Sequence, residues 1–293
     1  MLDGTKLIFT STTGRSGTKY LSELINKNAR NATAEHDPYP RGYGEPILWY
    51  DRGEDRKLLR FSVRKMKRLE RGIRYEHILS RPLPSRLIGR EKSNSKIYIA
   101  SQHLLRARFP SVEIKEIYLE STHAFVKSFG EAMYSLRPDM YLIHLTRDPL
   151  EVAKSFMNRG SIPGPNNPFL LDPLLKRNIL RIDGGMTDFQ KCLWYWFETE
   201  LRHQEFIERN LVEKVYHIDI KEMRDKEKVK ELFRFFGIEH GDIELRAERN
   251  RNKVPTEITE RDLQEARELL DRIPEWVFER IGDRYGIRER LHG

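Results

Sequence analysis

Close to its start the chain sets an apolar run, Lys6-Leu7-Ile8-Phe9-Thr10, directly against the polar, glycine-bearing stretch Ser11-Thr12-Thr13-Gly14-Arg15-Ser16-Gly17-Thr18. Leu21, Leu24 and Ile25 then recur at helical spacing. A buried strand, a glycine turn and a helix start in succession form a βα unit whose loop is built to hold an anion. Backbone amides from Gly14 to Thr18 can point at the ligand, and the helix N-terminus adds partial positive charge. Arg15 and Lys19 bring full charges, while Thr13, Ser16 and Thr18 bring hydroxyls. The nucleoside-triphosphatase pattern G-x-x-x-x-G-K-[ST] is not matched, because Gly14 and Gly17 stand too close together and Lys19 falls two residues after Gly17. An ordinary tight turn before a helix would leave the same trace.

Further along, strands and helices alternate. Glu113–Leu119 predicts a strand and Ser121–Leu136 a helix. Met140-Tyr141-Leu142-Ile143-His144-Leu145 is the strongest strand signal, and Pro149 suits the first turn of a helix reaching Asn158. Asp188–Asn210 predicts a long helix, Lys214–Ile218 a strand, and Val229–Phe236 a helix stopped by Gly237. Two more helices are expected around Glu260–Leu270 and Pro274–Ile281. The alternation predicts an α/β fold with a central parallel sheet flanked by helices.

A second cluster narrows the chemistry. The segment His144-Leu145-Thr146-Arg147-Asp148-Pro149 ends a strand in an arginine, and Ser155 follows eight residues later on the next helix. Arg147 offers a planar fork suited to a phosphate. A capped strand-to-helix turn explains Arg-Asp-Pro equally well when it stands alone. Taken in order, the loop Arg15-Ser16-Gly17-Thr18 resembles the 5′-phosphosulfate loop of the sulfotransferases that use 3′-phosphoadenosine-5′-phosphosulfate (PAPS), and Arg147 with Ser155 resembles that family's 3′-phosphate site. Val215-Tyr216-His217-Ile218-Asp219 and Leu232 to Ile238 are similar to the late strand and helix of Golgi-type and bacterial members.

The resemblance implies a three-layer P-loop-containing fold in a single domain over residues 1–293, with a basic helical insertion at about 40–110 on the acceptor side. It implies PAPS as sulfuryl donor, PAP as product, and transfer to a hydroxyl or amine. Thr13, Gly14, Arg15, Ser16, Gly17, Thr18, Lys19, Arg147 and Ser155 would bind the cofactor, with Tyr20 stacked on the adenine and Lys253 reaching the 3′-phosphate. Family members carry a Glu or His shortly after the first helix as general base. Ala34-Glu35-His36-Asp37-Pro38 occupies that place. His36 titrates near pH ~6.5 when unperturbed, Glu35 would serve if burial raised its pKa, and Asp37 would orient the imidazole. Lys19 and Arg15 would meet charge developing on the leaving group. Lys115 resembles a strand lysine of some members.

Composition limits the rest. Between Arg52 and Lys96, fifteen Lys and Arg stand against five Asp and Glu, an excess of ten charges that is larger than the whole chain's net of +8. Such an excess predicts an anionic partner. A small-molecule, glycan or lipid acceptor fits, as does peripheral membrane contact. Trp49, Tyr50, Tyr75 and His77 are candidate acceptor-pocket residues. An RNA-binding module lacks the aromatic strand motif that should accompany the arginines, and a P-loop kinase using ATP and magnesium lacks the G-K-[ST] pair. Cys192 stands alone within an apolar run, excluding an internal disulfide. No signal peptide or membrane-length apolar stretch is evident, so the expectation is a soluble cytoplasmic protein. No His, Cys, Asp or Glu cluster at ligand spacing is visible, and no metal is expected.

Overall fold

The computed structural model describes residues 4–37, 115–245 (apart from 128, 166, 168, 169, 176, 177, 211 and 213) and 257–292. Five strands form one parallel sheet: β1 (Lys6–Ser11), β2 (Ala32–His36), β3 (Ile117–Ser121), β4 (Tyr141–Thr146) and β5 (Val215–Asp219). Their spatial order is β2-β3-β1-β4-β5. β1, β3 and β4 are buried on both faces. That is why they read as nearly continuous apolar runs rather than alternating ones.

Helices cover both faces. On one, α1 (Thr18–Asn28) and α5 (Lys226–Phe236) set Leu21, Leu24, Ile25, Val229, Leu232 and Phe233 against Ile8, Leu119, Ile143, Leu145 and Ile218. On the other, Leu7, Phe9, Tyr118 and Leu142 meet Phe125, Phe129 and Phe206, with Phe9 and Phe125 stacked at 4.9 Å. Beyond that face α3 (Pro149–Met157), α4 (Asp188–Asn210), α6 (Glu260–Leu270), α7 (Glu275–Ile281) and the short α8 (Ile287–His292) share a third core around Trp194 and Phe197. The three-layer α/β architecture is therefore as expected. The short α2 (Gly130–Leu136) precedes β4.

Two differences from the sequence reading fall on β3 and the segment after it. β3 begins at Ile117 and runs through Ser121, so Lys115 lies before the strand, its Nζ donating to the Ala29 carbonyl at 3.3 Å. It is at the N-terminal edge of the sheet, opposite the glycine loop. The helix expected from Ser121 starts only at Gly130. The reason is a clasp: Thr10 Oγ1 donates to the Thr122 carbonyl and accepts the Thr122 amide, both at 2.8 Å. With both backbone groups of Thr122 committed to β1, residues 123–127 turn instead of coiling. The basic stretch Arg52–Lys96, Trp49, Tyr50, Tyr75, His77 and Lys253 lie outside the described residues.

β1 is the hinge of the topology. The chain leaves it toward β2 on one side and leaves its neighbour β4 toward β5 on the other. Connections that diverge from adjacent parallel strands open a crevice at the carboxyl ends of those strands, the favoured ligand position of an open α/β sheet.

Candidate active site

Both sequence motifs end at that crevice. The loop after β1 turns through Gly14 (φ +92°), Arg15 (φ +58°) and Gly17 (φ +93°) before α1 begins. A Cβ at Gly17 would lie 2.7 Å from Ile220 Cδ1, and one at Gly14 would lie 3.2 Å from His123 Cβ. Gly17→Ala is expected to cost about 1–2 kcal/mol from the left-handed backbone alone, measured by chemical unfolding. Ser16 is buried with its hydroxyl donating to the Gly14 carbonyl at 3.1 Å. Thr12 Oγ1 accepts the Gly14 amide, and the Thr18 carbonyl accepts from Ser121 Oγ at 2.7 Å.

Arg15 and Arg147 are brought together. Arg15 Nε donates to Ser155 Oγ at 3.0 Å, and Arg147 Nη1 donates to the Arg15 carbonyl at 3.1 Å. Arg147 Nε is held by Glu151 at 2.9 Å, and its carbonyl takes Trp196 Nε1–H from α4. Burial, then the neighbouring charges of Arg159 and Arg147, push the Arg15 guanidinium down to about 10. It stays cationic at neutral pH, yet three like charges gathered in a half-buried crevice are what an anion would relieve. Arg159, just past α3, is a member that the sequence motifs did not single out.

Asp148 serves α3. Its Oδ1 accepts the Leu150 and Glu151 amides at 2.9 and 3.2 Å, and its Oδ2 accepts from Arg290 at 2.6 Å. This is a helix cap with Pro149 in the first turn.

Lys127 was not anticipated. It is fully buried, and its Nζ donates to the Thr13 carbonyl at 3.0 Å, the Thr12 carbonyl at 3.4 Å and Tyr195 Oη at 2.7 Å. Burial pushes its pKa well below the ordinary lysine range. Burial and adjacent Lys127 also lower His123 to about 4, keeping that imidazole neutral. Lys127 thus holds the underside of the loop, a role invisible in sequence because two of its partners are backbone carbonyls and Tyr195 lies 68 residues away.

The candidate bases sit at the end of β2, two strands and so about 10 Å from β1. Asn26 of α1 fastens this edge strand, its Nδ2 donating to the Ala34 carbonyl at 2.7 Å and its Oδ1 accepting the Ala34 amide at 2.8 Å. The register pairs Glu35 with Glu120 and His36 with Ser121. Alternation then separates the candidates. Glu35 follows the Tyr118 face and accepts the Tyr118 hydroxyl at 2.7 Å. His36 follows the face that packs α1; its Nδ1 lies 3.2 Å from the Ser121 carbonyl and its Nε2 3.5 Å from Asp37 Oδ2, with the ring about one-third exposed.

Lys19 and Tyr20 do not join the arginines. Lys19, on the first turn of α1, is exposed with Nζ 3.9 Å from Glu23. Tyr20 packs at the rim of the α1–α5 core, its hydroxyl donating to the Met223 carbonyl at 3.4 Å.

Below the loop three histidines converge, a grouping that no ligand spacing along the sequence announces. His144, His203 and His217, from β4, α4 and β5, offer nitrogens within 4.8 Å of one another. Among the described residues, no helix is long and apolar enough to cross a membrane.

No family model matches the sequence, and no curated protein matches it. Two solved structures are similar in architecture. A sulfotransferase from Alicyclobacillus acidocaldarius is 11% identical, with 98% of this chain and 96% of that one covered at a TM-score of 0.47. The sulfotransferase domain from the curacin biosynthetic pathway is 13% identical, with coverage of 81% and 75% and a TM-score of 0.42.

Proposed function

We propose that the chain is a PAPS-dependent sulfotransferase that moves a sulfuryl group to a hydroxyl or amine by in-line displacement. The observation that carries this reading is the closure of Arg147 and Ser155 on Arg15, linking two anion motifs 132 residues or more apart in sequence. In this reading the loop Thr13–Lys19 holds the 5′-phosphosulfate, Arg147 and Ser155 hold the 3′-phosphate, and Arg159 adds to the field. Arg15, with Lys19 swinging in from solvent, neutralises charge on the departing PAP.

His36 is the base. Donation from Nδ1–H to the Ser121 carbonyl leaves the lone pair on Nε2, which takes the acceptor's proton as its oxygen or nitrogen attacks sulfur. Asp37 then stabilises the imidazolium. Glu35, engaged by Tyr118, is the lesser candidate. A kinase is disfavoured because Asp148, a carboxylate at the end of β4 that could be cast as a magnesium ligand, has both oxygens committed to the α3 N-terminus and Arg290.

The acceptor is proposed to be a small molecule, glycan or lipid bearing negative charge, met by the Arg-rich segment within one domain spanning residues 1–293. The test is incubation with radiolabelled PAPS and phospholipid vesicles, acidic glycans or phosphorylated sugars. Label is expected in one of these classes. His36→Ala should lower its turnover about 10²–10⁴-fold with PAP affinity unchanged. Undiminished turnover in His36→Ala would remove the base assignment, and failure to label any class would contradict the proposed acceptor.

A further inference from the structure

The three histidines beneath the loop are not used by sulfuryl transfer. We propose that His144, His203 and His217 form a binding site for a divalent transition ion of the zinc type, with Glu200 as the carboxylate that orients His144. The proposal is independent of the sulfotransferase reading.

Geometry carries it. His144 Nδ1 and His217 Nδ1 stand 2.9 Å apart. Two nitrogens bound to one ion at about 2.0–2.1 Å lie roughly 2.9–3.4 Å apart, so this pair already has ligand spacing. His144 Nε2 lies 2.8 Å from Glu200 Oε2. With Glu200 ionised, that contact places the His144 proton on Nε2 and bares the lone pair on Nδ1, toward His217. A carboxylate behind a histidine in this way is the usual second layer of a metal site. Without an ion, His217 Nδ1–H donates to that lone pair. To ligate, His217 moves its proton to Nε2.

His203 supplies the third nitrogen. It is fully buried, its Nδ1 pairs with Ser11 Oγ at 2.7 Å, and its Nε2 has no hydrogen-bond partner among the described residues. A buried ring nitrogen left without a partner is costly, and an ion would satisfy it. The ring stacks on His144 with centroids 3.6 Å apart. Closing the 4.8 Å limit to bonding distance requires His203 to turn out of that stack by roughly 1.5 Å at its nitrogen. His217 is exposed, so the ion has an entry path and room for water as a fourth ligand. Imidazole ligands favour zinc, copper, nickel or cobalt over magnesium or calcium. Arg284 is the opposing charge, felt by all three rings and by Glu200. It is exposed to solvent, which screens its charge.

Ser11 ends β1 and opens the anion loop, so an ion here would stiffen the loop's base from α4 through His203. The test is titration of the full chain with cobalt(II), followed by visible absorbance, then displacement by zinc(II). One equivalent of cobalt is expected to give low-symmetry d–d bands, and zinc should abolish them. Glu200→Gln should weaken binding about 10–100-fold, and His217→Ala should eliminate the bands while leaving the metal-free unfolding temperature within a few degrees. No saturable bands in the wild type, or bands unchanged in His217→Ala, would overturn the site.

Discussion

Arg147→Ala is expected to weaken PAP binding about 100-fold, close to 2.7 kcal/mol, the scale of one or two hydrogen bonds to a charged group. The side chain occupies the C-terminal end of β4, with Nη1 on the Arg15 carbonyl and Nε on Glu151. Its removal takes a charge from the crevice and frees the loop carbonyl that Arg147 restrains. Arg147→Lys should recover only part of the loss, because a point charge replaces a planar fork. The backbone of residue 147 keeps its bond from Trp196 in either variant. Thermal unfolding without ligand should therefore change little, and calorimetry with PAP reports the affinity. Equal PAP affinity in Arg147→Ala and wild type would remove this residue from the site.

The second large effect concerns the platform under the loop. Arg202→Met is expected to destabilise the protein by about 3–5 kcal/mol, the cost of leaving one member of a buried ion pair alone. Arg202 Nε donates to Glu198 Oε1 at 2.6 Å, and both side chains are almost completely buried. Glu198 also accepts the Ile179 and Leu180 amides, fastening the segment before α4. Burial raises the Glu198 pKa, while Arg202 acts to lower it. Without Arg202, Glu198 should protonate on folding, and the variant should lose further stability as pH rises above the ordinary carboxylate range. Denaturant unfolding at pH 5 and pH 8 measures both effects. A loss below 1 kcal/mol would show that the pair contributes little.

Much of this arrangement was legible in the residues. β1, its loop and α1 were read at nearly their observed bounds because an apolar run, two glycines and a helical period agree. β4, Arg147 and α3 were legible for the same reason, with Pro149 marking the helix start. Tertiary contacts hid the rest. Ala124, Phe125, Val126, Phe129 and Met133 carry a helical period, but the Thr10–Thr122 clasp holds the first part of that segment in a turn. Lys127 belongs to no sequence motif, and only the fold brings Thr12, Thr13 and Tyr195 around it. The three histidines come from three elements, and only the β4–β5 register and the packing of α4 place them together. Placing His36 and Glu35 on opposite faces needed the register of β2 on β3, since adjacent residues of a strand face opposite ways.

The central claim is that the crevice between β1 and β4 holds an adenosine bisphosphate without a metal. Calorimetric titration of the full chain with PAP, and separately with ATP and magnesium, tests it most directly. PAP is expected to bind one to one with micromolar affinity, unaffected by chelator, and ATP with magnesium far more weakly. Tight magnesium-dependent ATP binding with no heat from PAP would contradict it.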